Sequence, residues 1–253
     1  GNSSSVSQNI TVADTTDPTF SAPADVTIEC GVDTNDLTIT GDVTNENDNC
    51  SSGLNATYSD SIANGSCANS KTITRTWSLT DDCNNTTTHV QTINVIDTTA
   101  PTFTAPADIT IECDVDATDL AITGYVTNIV DNCSTNLRAI YTDTIADGSC
   151  ANASVITRTW SLKDDCDNTT TLIQSITVQD TTAPIIDNTG IQNIEIQCGV
   201  TPDGTLENWL DNNAGATASD FCGNITWSND YAMNTDVDCA NGAITVIFTA
   251  TDD

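Results

Sequence analysis

The chain has very few basic side chains and a single histidine. Five lysine and arginine residues stand against 36 aspartate and glutamate residues in 253. The formal net charge of −31 therefore excludes charge-driven binding to nucleic acid or to an anionic membrane surface. No nucleophile elbow, phosphate-binding loop or metalloprotease motif accompanies His89. We therefore expect a protein that is not an enzyme.

Long apolar runs and closely spaced cysteine pairs are also missing. No apolar run approaches the roughly 18 residues of a membrane span, so we expect no membrane insertion by this part of the protein. No C-x-x-C pair occurs among the 11 cysteines, which disfavours a zinc site. The acidic residues are 31 aspartates and five glutamates. Aspartate is typical of turns and calcium loops, so the composition favours acidic loops on an ordered β scaffold.

What the sequence does contain is a tandem repeat. Asp14, Asp97 and Asp180 each begin the motif D-T-T-x-P, and they lie 83 residues apart. A fixed period of this length predicts small domains in tandem. We assign residues 1–14 to the last strand of a preceding repeat, 15–97 to repeat 1, 98–180 to repeat 2, and 181–253 to repeat 3, which is divergent and truncated at its C-terminal end.

The cysteines follow the same period. They are Cys30, Cys50, Cys67 and Cys83 in repeat 1, Cys113, Cys133, Cys150 and Cys166 in repeat 2, and Cys198, Cys222 and Cys239 in repeat 3, whose fourth cysteine we expect beyond residue 253. A domain of this size buries too little apolar surface to be comfortably stable alone, so covalent staples are expected. Two disulfides in each repeat imply an oxidising compartment.

Apolar residues alternate with polar ones in several short segments. Ile73, Arg75, Trp77 and Leu79 share one face of a strand over residues 71–80. We also predict a strand ending at Cys30, a weaker one over residues 37–40, a third over 54–58 and a last one around residues 91–95. In repeat 3, residues 205–210 predict one helical turn capped by Thr205. Short, threonine-rich strands with few helices predict an antiparallel sandwich.

A series of motifs resembles a known family. The motifs D-T-T-A-P, a strand ending in E-C, then D-N-C, G-S-C, R-T-W-S-L-x-D-D-C-x-N and Q-x-I-x-V resemble HYR-like repeats. These are immunoglobulin-like modules of giant bacterial surface proteins, including the adhesins of gliding bacteria. The resemblance covers the whole chain and is looser in repeat 3, where Val246 and Phe248 replace the arginine and tryptophan.

This resemblance implies an all-β fold of tandem immunoglobulin-like antiparallel β-sandwich repeats of about 83 residues, with two disulfides each, arranged as an extended rod. It also implies a secreted protein at the bacterial cell surface, associated with the outer membrane. The partners it implies are neighbouring repeats of the same chain, an extracellular surface or glycan that it does not identify, and other subunits of a surface filament.

Topology of this kind predicts the disulfides. If the chain enters each sandwich at the top, Cys30 and Cys67 lie at the bottom, and Cys50 and Cys83 lie in two loops at the top. A disulfide needs Cα atoms within about 7 Å, so we expect pairs at the same end. The predicted bonds are Cys30–Cys67, Cys50–Cys83, Cys113–Cys150, Cys133–Cys166 and Cys198–Cys239, with Cys222 unpaired.

The same topology gathers aspartates at the top of each repeat. Carboxylates that converge there repel one another unless a cation neutralises them, and calcium prefers such hard oxygen ligands. The predicted calcium ligands are Asp14, Asp48, Asp81 and Asp82 for repeat 1, Asp97, Asp131, Asp164 and Asp165 for repeat 2, and Asp180, Asp220, Asp252 and Asp253 for repeat 3. Alternatively, these aspartates only cap turns and keep the surface soluble.

We expect a non-enzymatic stalk segment of a large secreted bacterial surface adhesin, which extends and stiffens a filament for surface attachment or gliding motility. Two alternatives stay open. The repeats themselves bind a glycan or a surface, or they are accessory repeats of an extracellular carbohydrate-active enzyme.

Overall fold

The computed structural model describes residues 1–148, 153–196, 204–232 and 242–252. Repeat 1 contains β1 (Thr19–Ser21), β2 (Val26–Glu29), α1 (Leu37–Thr40), β3 (Thr44–Asn47), β4 (Thr57–Asn64), β5 (Lys71–Thr80) and β6 (Thr86–Ile96). Repeat 2 contains β7 (Thr102–Thr104), β8 (Ile109–Glu112), α2 (Leu120–Thr123), β9 (Thr127–Val130), β10 (Ile140–Asp147), β11 (Ser154–Lys163) and β12 (Thr169–Gln179). Repeat 3 contains β13 (Ile185–Asp187), α3 (Thr205–Asp211), a 3-10 turn (Asn213–Gly215), β14 (Thr217–Ser219), β15 (Thr226–Asn229) and β16 (Phe248–Thr251).

The main sheet of repeat 1 has the order β2-β6-β5-β4. β4, β5 and β6 pair antiparallel, whereas β2 runs parallel to β6, with Val26 opposite Ile93. Repeat 2 has the same order in β8-β12-β11-β10, and Ile109 stands opposite Ile176 in the equivalent parallel pair. The repetition in sequence is therefore a repetition in register.

A second, smaller layer packs against the main sheet of repeat 1. β1 pairs antiparallel with β3, and Phe20 of β1 contacts the buried Trp77 and Leu79 of β5. Leu37 of α1 packs against the same cluster. Burial alternates along β5 as the pattern predicts, because side chains on a strand point alternately to the two faces. The fold is all-β, with the core between two layers.

A buried arginine lies at the centre of each main sheet. The Arg75 side chain has no exposed surface, and its guanidinium makes two hydrogen bonds of 2.9 Å to the Asp60 carboxylate. It also lies 3.9 Å from the centroid of the Tyr58 ring and donates to the Thr40 hydroxyl. Arg158 and Asp143 form the same pair in repeat 2. A buried charge needs such a partner, because its desolvation is costly.

The prediction of a weak strand over residues 37–40 is wrong, because these residues form the helical turn α1. The Asp36 carboxylate accepts hydrogen bonds from the backbone N–H and the hydroxyl of Thr38, which is the N-cap arrangement. Gly41 ends the turn at φ 91°, and a Cβ there would lie 2.7 Å from the Pro23 Cβ. Asp36 and Gly41 together therefore override the apolar alternation of Leu37 and Ile39.

Other boundaries differ from the prediction in smaller ways. β4 begins at Thr57 and continues to Asn64, beyond the predicted segment 54–58. The helical turn predicted in repeat 3 is present as α3, but its N-cap is Gly204 rather than Thr205. Residues 1–14, predicted to be the last strand of a preceding repeat, contain no strand in the structure, and Ile10 is 87% exposed. A strand forms only against a partner, and this segment pairs with no strand among the described residues.

The chain divides into two compact units. The first comprises residues 1–103, 128–139 and 162–170, and the second comprises residues 104–127, 140–161 and 171–253. Two loops of repeat 2 thus belong to the same unit as the whole of repeat 1. In the part of the chain that the structure describes, no helix is long and apolar enough to cross a membrane.

Candidate metal centre

Asp97 directly follows β6 and opens the link to repeat 2. Its Oδ1 accepts a hydrogen bond of 3.2 Å from the backbone N–H of Thr99, which fixes the carboxylate in a local turn. The residue is only 7% exposed, and its Oδ2 is buried without a hydrogen-bond partner. A buried carboxylate oxygen of this kind is costly unless something else binds it.

Asp131 lies in the loop before Cys133 and presents a second open oxygen. Its Oδ1 accepts hydrogen bonds from the backbone N–H groups of Cys133, at 2.8 Å, and Ser134, at 2.6 Å. Its Oδ2 is buried and unpartnered. The loop therefore holds the Asp131 carboxylate through one oxygen and leaves the other available.

Asp164 follows β11 and is held more completely. Its Oδ1 accepts from the backbone N–H groups of Cys166 and Asn168, both at 2.8 Å, and its Oδ2 accepts from the Asn168 side-chain amide at 2.8 Å. The same amide donates to the backbone carbonyl of Asp97 at 3.2 Å. Asn168 therefore fixes the positions of Asp97 and Asp164 relative to each other.

These three aspartates converge within the first unit. Carboxylate oxygens of Asp97, Asp131 and Asp164 lie within 4.8 Å of one another. Burial raises the pKa of Asp97, and the charges of Asp131, Asp164 and Glu29 raise it further. Arg75, Arg158 and Lys163 form ion pairs with Asp60, Asp143 and Asp167, and no lysine or arginine among the described residues pairs with this cluster. The negative charge is therefore left for a cation to neutralise.

The same arrangement occurs twice more among the described residues. Asp14, Asp48 and Asp81 form an equivalent cluster in the first unit, and Asp180, Asp220 and Asp252 form another in the second unit. Unpartnered buried oxygens recur at the equivalent positions Asp14 Oδ2, Asp48 Oδ1 and Asp180 Oδ2. We call the three groups the Asp14, Asp97 and Asp180 clusters. They contain nine of the twelve predicted ligands.

The remaining predicted ligands do not join these clusters. Asp82 and Asp165 are exposed, and the clustered carboxylate in each loop belongs to the preceding residue, Asp81 or Asp164. The backbone N–H groups of Asp82 and Asp165 instead donate to the hydroxyls of Ser51 and Ser134. Asp253 lies outside the described residues.

Two kinds of residue that help to position the clusters were not predicted from the sequence. Asn85 and Asn168 each bridge a clustered carboxylate and a backbone carbonyl. Glu29 accepts hydrogen bonds from the backbone and hydroxyl of Thr98, next to Asp97, and Glu112 bonds Thr181 in the same way. The repeated motifs D-D-C-x-N and E-C contained this signal.

The donor set fits calcium. Carboxylate and carbonyl oxygens are the hard ligands that Ca²⁺ takes in a flexible shell of about six to eight, which water completes where protein ligands are few. Sulfur ligation is excluded for the cysteines that lie near Asp97 and Asp180. Cys30 and Cys133 lie near Asp97, and Cys222 lies near Asp180, but all three sulfurs belong to disulfides.

The predicted disulfide pairing is wrong for every bond that the structure describes. The bonds are Cys30–Cys133, Cys67–Cys166 and Cys113–Cys222, with Cα–Cα distances of 5.7, 5.1 and 5.7 Å. They replace the predicted Cys30–Cys67, Cys133–Cys166 and Cys113–Cys150 bonds, and Cys222 is paired rather than free. Cys50 and Cys83, predicted to bond each other, are exposed free thiols. The predicted Cys198–Cys239 pair and Cys150 lie outside the described residues.

The reason lies in the short connection between repeats. The prediction placed Cys30 and Cys67 at one end of repeat 1, and both do line one cavity of about 650 Å³. Cys133 also lines it, because the loops of repeat 2 that follow Asp131 and Asp164 lie against this end within the same unit. The same-end argument considered each repeat alone, whereas the nearest sulfur belongs to the next repeat.

Comparison with known proteins gives little more. No protein-family model and no curated protein matches the chain. It is similar to the solved structure of human mucin-like protocadherin EC1-2, at 10% identity over 64% of this chain and 98% of that one, with a TM-score of 0.25. It is also similar to protocadherin gamma B7 extracellular cadherin domains 1-4, at 13% identity over 94% of this chain and 68% of that one, with a TM-score of 0.31. The similarity to Drosophila N-cadherin EC1-4 is 12% identity over 93% of this chain and 71% of that one, with a TM-score of 0.30. At such identities and TM-scores the similarity supports no argument about ligands or function.

Proposed function

We propose that the chain is a calcium-binding, disulfide-cross-linked spacer segment of a secreted surface adhesin. The observation that carries this proposal is the threefold recurrence of an aspartate cluster with unpartnered, buried carboxylate oxygens. Aspartates that only cap turns have their oxygens bonded to backbone N–H groups or to water. In the Asp97 cluster, Asp97 and Asp131 each satisfy one oxygen in this way and leave the other unsatisfied.

Calcium at the Asp97 cluster would link the end of repeat 1 to both top loops of repeat 2. Asp97 follows the last strand of repeat 1, whereas Asp131 and Asp164 stand in the two loops that bear Cys133 and Cys166. The ion and the disulfides therefore hold the same loops. Metal binding and cross-linking together would fix the junction of repeat 1 with these loops.

The cellular setting follows from the disulfides and the motifs. Disulfides persist in oxidising compartments, which supports secretion. The resemblance to HYR-like repeats suggests a bacterial cell-surface filament for attachment or gliding motility. A repeated site suits a structural role better than catalysis, because an enzyme needs one active site rather than one at each repeat.

Calcium titration of the full chain tests the metal proposal. We expect three ions per chain by calorimetry, one for each cluster, and one ion fewer for Asp131→Asn. The matched control is Asp165→Asn, which removes the same charge from an exposed position outside the cluster. Equal loss of binding in both variants would mean that calcium responds only to net charge.

Binding assays separate a spacer from a repeat that binds glycan. A spacer should show no saturable affinity for glycan arrays or surfaces. Saturable binding that is lost when Thr157, Thr159 and Ser161 are replaced would overturn the spacer role, because these residues form the half-buried outer face of β11.

A further inference from the structure

The loops at the top of repeat 2 show how one repeat contacts the repeat before it. Cys133 bonds Cys30 and is 6% exposed, and Cys166 bonds Cys67. The Asn69 side chain donates to the Cys133 carbonyl, and the Asn132 side chain donates to the Cys30 carbonyl at 3.4 Å. Two disulfides and two amide hydrogen bonds thus form this contact within the first unit.

The top of repeat 1 carries the equivalent asparagine and cysteines, but no disulfide joins these cysteines to another repeat among the described residues. Asn49, Cys50 and Cys83 stand 83 residues before Asn132, Cys133 and Cys166. Both thiols are free and exposed, and the Asn49 amide lies 3.2 Å from its neighbour's sulfur instead of a carbonyl of another repeat.

The loop that bears Cys50 makes the same hydrogen bonds as the equivalent loop of repeat 2, whose cysteine is in a disulfide. The Asp48 carboxylate accepts hydrogen bonds of 2.8 Å from the backbone N–H groups of Cys50 and Ser51. Asp131 makes the equivalent two bonds in repeat 2, where Cys133 is cross-linked. The surface around Cys50 is therefore formed before any partner is bound.

We propose that Cys50 and Cys83 are a two-point covalent docking surface for another repeat of this kind, placed before Thr15 in the same polypeptide. The cysteine of that repeat equivalent to Cys30 bonds Cys50, and the one equivalent to Cys67 bonds Cys83. This assignment needs no calcium and goes beyond the metal-binding role.

The segment before Asp14 supports this occupant. Gln8, Ile10 and Val12 repeat the pattern of Gln91, Ile93 and Val95 in β6. Ile93 and Val95 are 0% and 4% exposed, whereas Ile10 and Val12 are 87% and 90% exposed. The sheet of a further repeat would bury these side chains, and its lower end would then face Cys50 and Cys83 as repeat 1 faces Cys133 and Cys166.

Each bond forms by two exchanges with oxidised glutathione. The Cys50 thiolate attacks the glutathione disulfide, which gives a mixed disulfide and releases one glutathione thiolate. The partner thiolate then attacks the Cys50 sulfur, forming the protein disulfide and releasing the second glutathione. The two protein thiols lose two electrons and two protons, which leave as two molecules of reduced glutathione.

The test is an extended chain with a copy of residues 98–180 inserted between Asp14 and Thr15. After refolding in a glutathione buffer, non-reducing peptide mapping should find Cys50 bonded to the inserted Cys113 and Cys83 bonded to the inserted Cys150. Alkylation of Cys50 and Cys83 should fall from complete in the unextended chain to background. In a control whose inserted copy has Cys113→Ser and Cys150→Ser, both should be fully alkylated again. Retention of Cys30–Cys133 in the same map shows that the chain has folded.

A Cys50–Cys83 bond in the extended chain, or full alkylation of both residues there, would overturn the proposal. The unextended chain gives an independent measurement in the same buffer. Cys50 and Cys83 should remain thiols at equilibrium, since their counterparts Cys133 and Cys166 do not bond each other. A Cys50–Cys83 disulfide there would also contradict the proposal.

Discussion

The replacement Asp97→Asn should change stability in opposite directions with and without calcium. Carboxylate oxygens of Asp97, Asp131 and Asp164 lie within 4.8 Å of one another. At an effective dielectric constant of about 20, two unit charges at this distance repel by about 3 kcal/mol, which salt reduces further. Asp97 takes part in two such pairs. Asparagine removes this repulsion and keeps the oxygen that accepts from the Thr99 N–H.

In chelator, we therefore expect the variant to melt at or above the temperature of the original chain. In excess calcium, the variant should instead melt at a lower temperature than the original chain. An ion at a hundred times its Kd stabilises the folded state by about 2.7 kcal/mol, which corresponds to about 5–10 °C for a chain of this size. The variant should lose the part of this increase that comes from the Asp97 cluster.

The assay is thermal unfolding followed by circular dichroism, with excess calcium and then with chelator. Asp165→Asn is the matched control, because its carboxylate is exposed and lies outside the cluster. The control should behave like the original chain in both buffers. An equal drop in melting temperature for Asp97→Asn with calcium and with chelator would show that Asp97 only caps a turn, and the reasoning would be wrong.

Three further predictions concern other contacts. Cys133→Ser should lower the free energy of unfolding in urea by about 4–5 kcal/mol, the chain-entropy value for a loop of about 100 residues; no loss would argue against the Cys30–Cys133 bond. Arg158→Met should cost about 3–5 kcal/mol in the same assay because it leaves Asp143 unpaired, whereas Lys163→Met, which breaks an exposed pair, should change little. Asn168→Ala should weaken calcium binding by calorimetry, since its amide holds both Asp164 and the Asp97 carbonyl; unchanged affinity would remove Asn168 from the site.

The local sequence pattern correctly predicted those structural features that depend on a single strand or a single motif. Burial alternates through Arg75 and Trp77 as period-2 spacing requires, and β5 has the predicted bounds of residues 71–80. The predicted sandwich topology also placed Asp97, Asp131 and Asp164 at the same end of a repeat, and the structure places them in one cluster. Such features follow from which face or which end a residue occupies.

Features set by competing contacts were not predictable in this way. Residues 37–40 alternate as a strand would, yet the Asp36 carboxylate and the Gly41 turn make them helical. The exposed Asp165 and the clustered Asp164 are adjacent and chemically identical in sequence, so only the backbone direction at the loop decides between them. The partner of Cys30 depended on how closely the next repeat approaches, which no motif within one repeat records.

The Cys30–Cys133 bond has a mechanical consequence. It closes a loop of 103 residues. Fully drawn out, a segment of that length would span about 350 Å. Under tension between residues 30 and 133, the bond keeps these residues together even if the sheets of repeat 1 unfold, so almost none of this length is released. A pulled chain should therefore lengthen in large steps only after reduction, and single-molecule stretching with and without a thiol reductant would show the steps.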